Sequence, residues 1–143
     1  MLRGAIVTVA LLVAGGAGYV RLAPSDPARW HLAPPADLFQ GLPPGQVKPL
    51  EGGAVLILPA EDPAALLARL DAVALATPRT RRLAGSPDEA RITWITRSAL
   101  WGFPDYTTAE ATPQGLRLYA RLRFGRSDMG VNAARLRDWL ARL

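Results

Sequence analysis

Cysteine is absent from this chain of 143 residues, and histidine occurs once, at His31. Without cysteine the protein has no disulfide scaffold, no thiol nucleophile, no Cys-ligated zinc or iron–sulfur cluster and no lipid-modified cysteine. A single histidine excludes multi-histidine metal sites and a Ser-His-Asp triad within the domain. Because the usual catalytic sets are missing, we expect a binding function with no cofactor, no metal and no catalytic residue.

Lysine is nearly absent too, since Lys48 is the only one among 17 basic residues, and the net charge is +5. Residues 23–78 carry three basic and six acidic side chains, a net charge of −3, whereas residues 79–143 carry twelve and six, a net charge of +6. Such a surplus of arginine suits a small anionic ligand or an anionic lipid. A solvated face with local ion pairs is the plain alternative. We expect no nucleic-acid partner, because the apolar N-terminal segment, residues 1–22, predicts an exported domain.

An uncharged run, residues 4–20, lies between Arg3 and Arg21. Its length is close to the lower limit of about 17 residues for a membrane-spanning helix. The basic start and small residues near its end also fit a cleavable secretory signal. We therefore expect residues 1–22 to be a signal-anchor or a signal peptide that contacts the lipid bilayer and places the domain outside the cytoplasm.

Prolines concentrate in residues 23–59, which hold eight of the 13 in the chain. Proline removes a backbone donor and disfavours regular helix and sheet, so this density predicts an extended, semi-rigid tether over residues 23–53. Within it, Trp30 either anchors at the membrane interface or packs on the domain. His31 lacks the partners that a ligand or base would need.

Residues 54–143 follow the pattern of one α+β domain. An apolar run at 54–58 predicts a buried strand, and Asp62 with Pro63 begins an amphipathic helix. Residues 77–88 are predicted to form a basic loop. The remaining predicted elements are three strands and a final helix, at 91–97, 105–112, 116–124 and from Val131. This β-α-β-β-β-α order predicts a small antiparallel sheet covered on one face by two amphipathic helices.

The last predicted strand alternates five apolar residues with three arginines and a tyrosine. We expect its apolar side to pack and its arginine-bearing side to meet solvent. A tight turn at residues 113–114 would place Glu110 opposite Arg117 and Tyr106 opposite Arg121, a favourable cross-strand pairing.

A polar loop at residues 125–135 links that strand to the final helix. Ser127 or Asp128 can cap the helix, which is the plain interpretation. The functional interpretation makes the loop one wall of a polar pocket on which Asp105 and Arg97 converge. The candidate binding residues are Arg97, Asp105, Arg117, Arg121, Arg123, Arg126, Ser127, Asp128, Asn132 and Arg135.

The segment 123–135 resembles the carboxy-terminal pattern S-R-V-G-x-S-D-x-G-x-N-x-x-R of a bacterial family, domain of unknown function 1499. Residues 103–107 resemble its acidic D-D-V-E-F-like segment in part. The chain departs from the family where serines of the last strand fall on Ala120 and Leu122 and an acidic residue falls on Tyr106. Any site that needed those groups is incomplete here.

The resemblance covers roughly residues 54–143 and implies an exported or membrane-associated domain of unestablished activity. The implied location is the cell envelope, at the bacterial inner membrane with the domain facing the periplasm. Secretion to the periplasm after cleavage is the alternative.

Three functions stay open at this point. The first is a non-enzymatic membrane-tethered protein that binds a small anionic ligand or an envelope protein through the arginine face and the 125–135 loop. The second is a hydrolase-like enzyme with Asp105 or Asp128 as base and Arg97 or Arg126 stabilising negative charge. The third is a structural subunit of an envelope complex. Whether Arg97, Asp105, Arg126 and Asp128 share one concave site would discriminate between these three functions.

Overall fold

A long N-terminal helix precedes an α+β domain in the computed structural model, which describes residues 2–143. Met1, the first residue of the predicted leader, lies outside the described residues. The described helices are α1 (Leu2–Leu22), α2 (Pro27–Trp30), α3 (Pro63–Leu75) and α4 (Val131–Ala141), with a 3-10 turn at Ala36–Phe39. The described strands are β1 (Lys48–Leu50), β2 (Gly53–Pro59), β3 (Thr80–Ser86), β4 (Arg91–Arg97), β5 (Pro104–Thr112) and β6 (Gly115–Leu122).

The strands form one antiparallel sheet in the order β1-β2-β6-β5-β4-β3. The predicted hairpin register is confirmed, because Glu110 lies opposite Arg117 and Tyr106 opposite Arg121. Glu110, however, forms its ion pair with Arg91 on the other neighbouring strand, at 2.6 Å. The predicted α+β class is confirmed as well.

Helices α3 and α4 cover one face of the sheet, which we call the helical face. Its core is apolar and closely packed: Leu118 is fully buried, and Trp94 meets Trp139 edge to face at 5.5 Å. Among the described residues, Asp71 is the one buried charged side chain on this face; it accepts a hydrogen bond from Nε1 of Trp94 at 2.8 Å and pairs with Arg82. Because the carboxylate has these partners, its burial leaves no unpaired charge.

Two segments that were predicted to lack regular structure each contain a strand. The predicted basic loop at 77–88 contains β3, an edge strand whose Arg82 reaches the carboxylate of Asp71 on α3. The predicted tether contains β1, which pairs with β2 and includes Pro49. Both are edge strands, where exposed arginine or proline is tolerated, so their composition resembles that of loops.

Residues 24–39 cross the opposite face of the sheet, and we call them the strap and that face the strap face. Trp30 stacks on Tyr106 with ring centroids 4.0 Å apart and planes within 10°. Arg121 donates to the backbone carbonyl of Trp30 at 2.6 Å, and Arg123 donates to that of Pro24 at 2.9 Å. The prediction that this arginine-bearing face meets solvent is therefore wrong, and Trp30 packs on the domain.

The strap and the arginines are complementary in hydrogen bonding. The strap lacks a backbone N–H donor at each of its four prolines but keeps every carbonyl acceptor, whereas a guanidinium has five donors and no acceptor. Next to these pairs, Nδ1 of His31 lies 2.9 Å from Oγ1 of Thr93. Gly85 makes room for the ring, because a Cβ there would lie 2.8 Å from Cε1 of His31. Burial lowers the pKa of His31.

Candidate functional site

Within the 125–135 segment, residues 125–130 form a loop and residues 131–135 are the first turns of α4. The loop turns sharply and is closed by a carboxylate. Gly125 and Gly130 have φ of +94° and +80°, in the left-handed region that favours glycine. Asp128 accepts hydrogen bonds from the backbone N–H of Gly130 at 3.1 Å and of Asn132 at 2.9 Å. Asp128 therefore satisfies free donors at the start of α4, as the capping interpretation predicts.

Asp105, on the helical face of β5, joins this loop through α4. Its Oδ2 accepts from Nδ2 of Asn132 at 3.2 Å and lies 3.3 Å from Nη2 of Arg135. Arg135 also donates, through Nη1, to the side-chain carbonyl of Asn132. The side chains of Arg135 and Asp105 are only 10% and 15% exposed. Burial raises the pKa of Asp105, although the guanidinium of Arg135 opposes the shift.

These groups border a cavity of about 240 Å³, which we call the carboxylate pocket. Its polar lining comes from both aspartates, Arg135 and two serines, and its remaining lining is apolar. The lining residues are Ser98, Phe103, Asp105, Leu122, Phe124, Ser127, Asp128, Met129, Val131 and Arg135. A pocket with an apolar wall and a few converging polar groups is typical of small-ligand sites.

Only part of the predicted convergence occurs. Asp105 and Asp128 line one pocket, but Arg97 and Arg126 do not line it. Arg97 instead donates to the carbonyl of Gly102 at 2.8 Å, and Arg126 is exposed. Of the predicted set, Ser127 and Arg135 line the pocket, and Asn132 donates a hydrogen bond to Asp105. The remaining arginines, Arg117, Arg121 and Arg123, lie on the strap face.

The apolar wall of the pocket was missed at the sequence level. The sequence does not indicate Phe103 and Met129 as wall residues, because isolated large apolar residues in loops show no periodicity that assigns them to one face. Both are exposed, at 40% and 90% respectively. Met129 also has a φ of +51°, which is uncommon for a residue with a side chain.

A second, larger cavity of about 560 Å³ lies at the same end of the sheet, and we call it the arginine cleft. Four arginines line it: Arg21 at the end of α1, Arg79 and Arg81 beside or in β3, and Arg97 at the end of β4. Its lining, as far as the described chain forms it, includes no aspartate or glutamate. Sequence reasoning missed three of these four, because they come from distant segments.

The loop of residues 98–103 separates the two cavities and contacts α1. Arg21 donates to the carbonyls of Leu100 and Trp101, at 2.9 and 3.2 Å. Trp101 and Phe103 border an apolar groove together with small residues of α1, namely Gly16 and Ala17. The C-terminal part of α1 is therefore held against the domain.

In residues 2–143, no group of three or more histidine, aspartate or glutamate side chains is placed to hold a metal ion. The model of a family described as protein of unknown function (DUF1499) matches residues 27–143. That match includes most of the strap as well as the sheet and helices. No curated protein and no solved structure matches the chain.

Proposed function

Because the chain belongs to the DUF1499 family of proteins of unknown function, we propose a role from the geometry alone. We infer that it is a membrane-anchored, non-enzymatic protein of the cell envelope that binds a small amphiphilic ligand in the carboxylate pocket. The observation that carries this proposal is the buried Asp105–Arg135 pair, braced by Asn132, beside an apolar wall.

The anchor is supported by α1 itself. Residues Gly4–Leu22 have a mean hydropathy of 1.8, and the 21 residues of α1 extend about 31 Å, close to the thickness of a bilayer core. The contacts of Tyr19 with Phe124 and of the Val20 carbonyl with Arg97 favour retention of α1 over cleavage, since cleavage before Arg21 would remove both. The domain would then face the periplasm.

The polar groups of the pocket define the ligand class. The two aspartates outnumber Arg135, and carboxylate oxygens accept but do not donate hydrogen bonds when ionised. A hydroxyl- or amine-bearing group would therefore occupy the polar side, with its apolar part against Phe103 and Phe124. The volume, somewhat below the usual minimum of about 300 Å³, suits one end of a larger molecule.

This proposal moves the binding site away from the arginine face. Arg121 and Arg123 already donate to carbonyls of the strap, and Arg121 also donates to Thr108. A ligand there would have to displace the strap. The 125–135 loop remains part of the proposed site, whereas Arg121 and Arg123 hold the strap and Arg117 lies over the ring of Phe39, 5.7 Å from its centroid.

A fluorescence titration of the full chain in lipid nanodiscs tests the pocket. Because the chain has no cysteine, Met129→Cys places a single environment-sensitive dye at the rim. Hexylamine and a short alkyl diol serve as probes. We expect saturable dye responses that weaken about tenfold in Asp105→Asn, the loss of one charge-assisted hydrogen bond.

Asp138→Asn is the matched control, because Asp138 is an exposed aspartate of α4 paired with Arg142 and does not line the pocket. It should bind both probes like the parent. Equal affinities for Asp105→Asn and the parent, or no saturable response to either probe, would overturn the proposed site.

One observation favours a second candidate function, a hydrolase-like activity. Burial raises the pKa of Asp105, and a raised carboxyl pKa is a feature of general acids and bases. If Asp105 has this role, the full chain should hydrolyse short-chain esters or glycosides, and Asp105→Asn should abolish the hydrolysis. Turnover that persists in that variant would exclude Asp105 as its acid or base.

A further inference from the structure

We infer that the arginine cleft binds the phosphate of an anionic membrane lipid, with the 98–103 loop seated in the adjoining membrane interface. The inference rests on the anchoring part of the proposed function, and it concerns a different cavity from the carboxylate pocket. Three independent features support it: the charge of the cleft, its position beside α1 and the apolar loop at its edge.

The charge of the cleft is uncompensated by its own lining. Its four guanidinium groups lie among Thr80, Ile95, Ser98, Ala99 and Gly102. None of the four forms one of the ion pairs found among the described residues. A phosphate diester would supply the missing negative charge and several strong acceptors, to which arginine binds in a bidentate manner.

Carbonyl groups orient three of these four arginines without neutralising them. Arg97 donates through Nη1 to Gly102, Arg79 donates through Nε to the carbonyl of Arg97, and Arg21 donates through Nε and Nη2 to the loop. Each guanidinium has five N–H donors, so each retains donors for a ligand. The site is therefore preorganised while its charge stays available.

The position of the cleft matches the level of lipid headgroups. Arg21 directly follows the uncharged part of α1, so it would lie where an anchor leaves the hydrocarbon core. Trp101 and Phe103 border the groove that extends along α1 to Val13. Val13 and Val20, which border the same groove, belong to the uncharged part of α1, so the two rings lie beside the apolar part of that helix.

The loop has the composition of a membrane-contacting segment. Leu100 is 71% exposed and Trp101 is 48% exposed. Tryptophan is enriched at membrane interfaces, where its ring is partly apolar and its N–H is solvated. A bilayer that covers these side chains would also bring phosphates to the neighbouring arginines, which is why a lipid fits the cleft better than a free anion.

Native mass spectrometry of the full chain in detergent tests the inference with three probes: short-chain phosphatidylglycerol, short-chain phosphatidylcholine and inorganic phosphate. We expect phosphatidylglycerol to bind most tightly. Arg79→Gln combined with Arg81→Gln should weaken its binding at least about tenfold, as expected for the loss of charge-assisted hydrogen bonds. Both residues are exposed, so the double variant should fold.

Arg137→Gln is the control for a general loss of charge, because Arg137 is an exposed arginine of α4 outside the cleft. The variant Arg137→Gln should bind phosphatidylglycerol like the parent, whereas the single variant Arg81→Gln, which removes the same charge, should bind it more weakly. Equal loss in both would reduce the effect to net charge and overturn the site. Equal binding by the double variant and the parent would also overturn it, as would inorganic phosphate binding as tightly as the lipid.

Failure of the proposed function would look different. Asp105→Asn should leave phosphatidylglycerol binding unchanged, because Asp105 does not line the arginine cleft. If the mature chain in membranes lacks α1, its intact mass shows the cleavage and the anchor is wrong. The detergent measurement on the uncleaved chain then still reports whether the cleft binds the lipid.

Discussion

The two faces of the sheet are covered in different ways. On the helical face, two helices bury leucines and tryptophans, and Leu118 has no exposed surface. On the strap face, a proline-rich segment without long secondary structure is held by one aromatic stack and by arginine-to-carbonyl hydrogen bonds. The same strands therefore support an apolar core and a polar interlayer. Stability should come mainly from the first, and geometric specificity from the second.

The largest expected effect is on the helical face. Leu118→Ala removes a fully buried side chain between the sheet and the helices, and it should lower the free energy of unfolding by about 2–5 kcal/mol. Denaturant unfolding of the full chain in detergent, followed by tryptophan fluorescence, measures the loss. Leu75→Ala, at an exposed position of α3, should change it by less than about 0.5 kcal/mol. Similar losses for both would contradict the division between the faces.

An intermediate effect is expected where the strap meets the sheet. Trp30→Ala removes the stack on Tyr106 and part of the cover over Arg121, and it should cost about 1–3 kcal/mol. Leu32→Ala, in the same strap but 55% exposed, is the matched control and should be nearly neutral. Hydrogen exchange should show opening of the strap in the Trp30 variant. A loss as large as that of Leu118→Ala would make the strap part of the principal core.

The smallest effect depends on pH. Burial lowers the pKa of His31 below its ordinary value of 6.5, so the unfolded chain binds the proton more readily than the folded chain. This contribution to stability is present above 6.5 and is lost as the pH falls toward the folded pKa. Between about pH 7.5 and pH 5.5, the parent should lose more stability than His31→Gln, which keeps a polar group near Thr93. Identical losses would contradict the lowered pKa of the half-buried His31.

The alternation in β6 was informative because it depends on local geometry. It predicted the sheet face of each residue and, with the turn, the register that places Glu110 opposite Arg117. Alternation does not indicate what covers a polar face, and the strap contacts residues about ninety positions away, such as Arg121 with Trp30. No local pattern in the proline-rich segment could have revealed that contact.

Of the two cavities, one could be predicted from local sequence patterns and the other could not. Asp105 and Asp128 could be brought together from the sequence, because the hairpin register places the start of β5 beside the end of β6, and Asp128 lies in the loop that follows β6. The arginine cleft could not, since Arg21 joins Arg81 and Arg97 only after α1 has packed against the 98–103 loop at the end of the sheet. Arg97 was therefore assigned to the wrong neighbours.

The strap also has a consequence for the order of folding. The strap leaves the ribosome early, but the arginines to which its carbonyl groups bind, Arg121 and Arg123, are synthesised more than ninety residues later. Closing so long a loop is entropically costly, so the strap docks after the sheet has formed. Until then Trp30 and the prolines of the strap remain exposed to solvent between α1 and the nascent domain. The first part of the folded region to be made is thus the last to reach its native place.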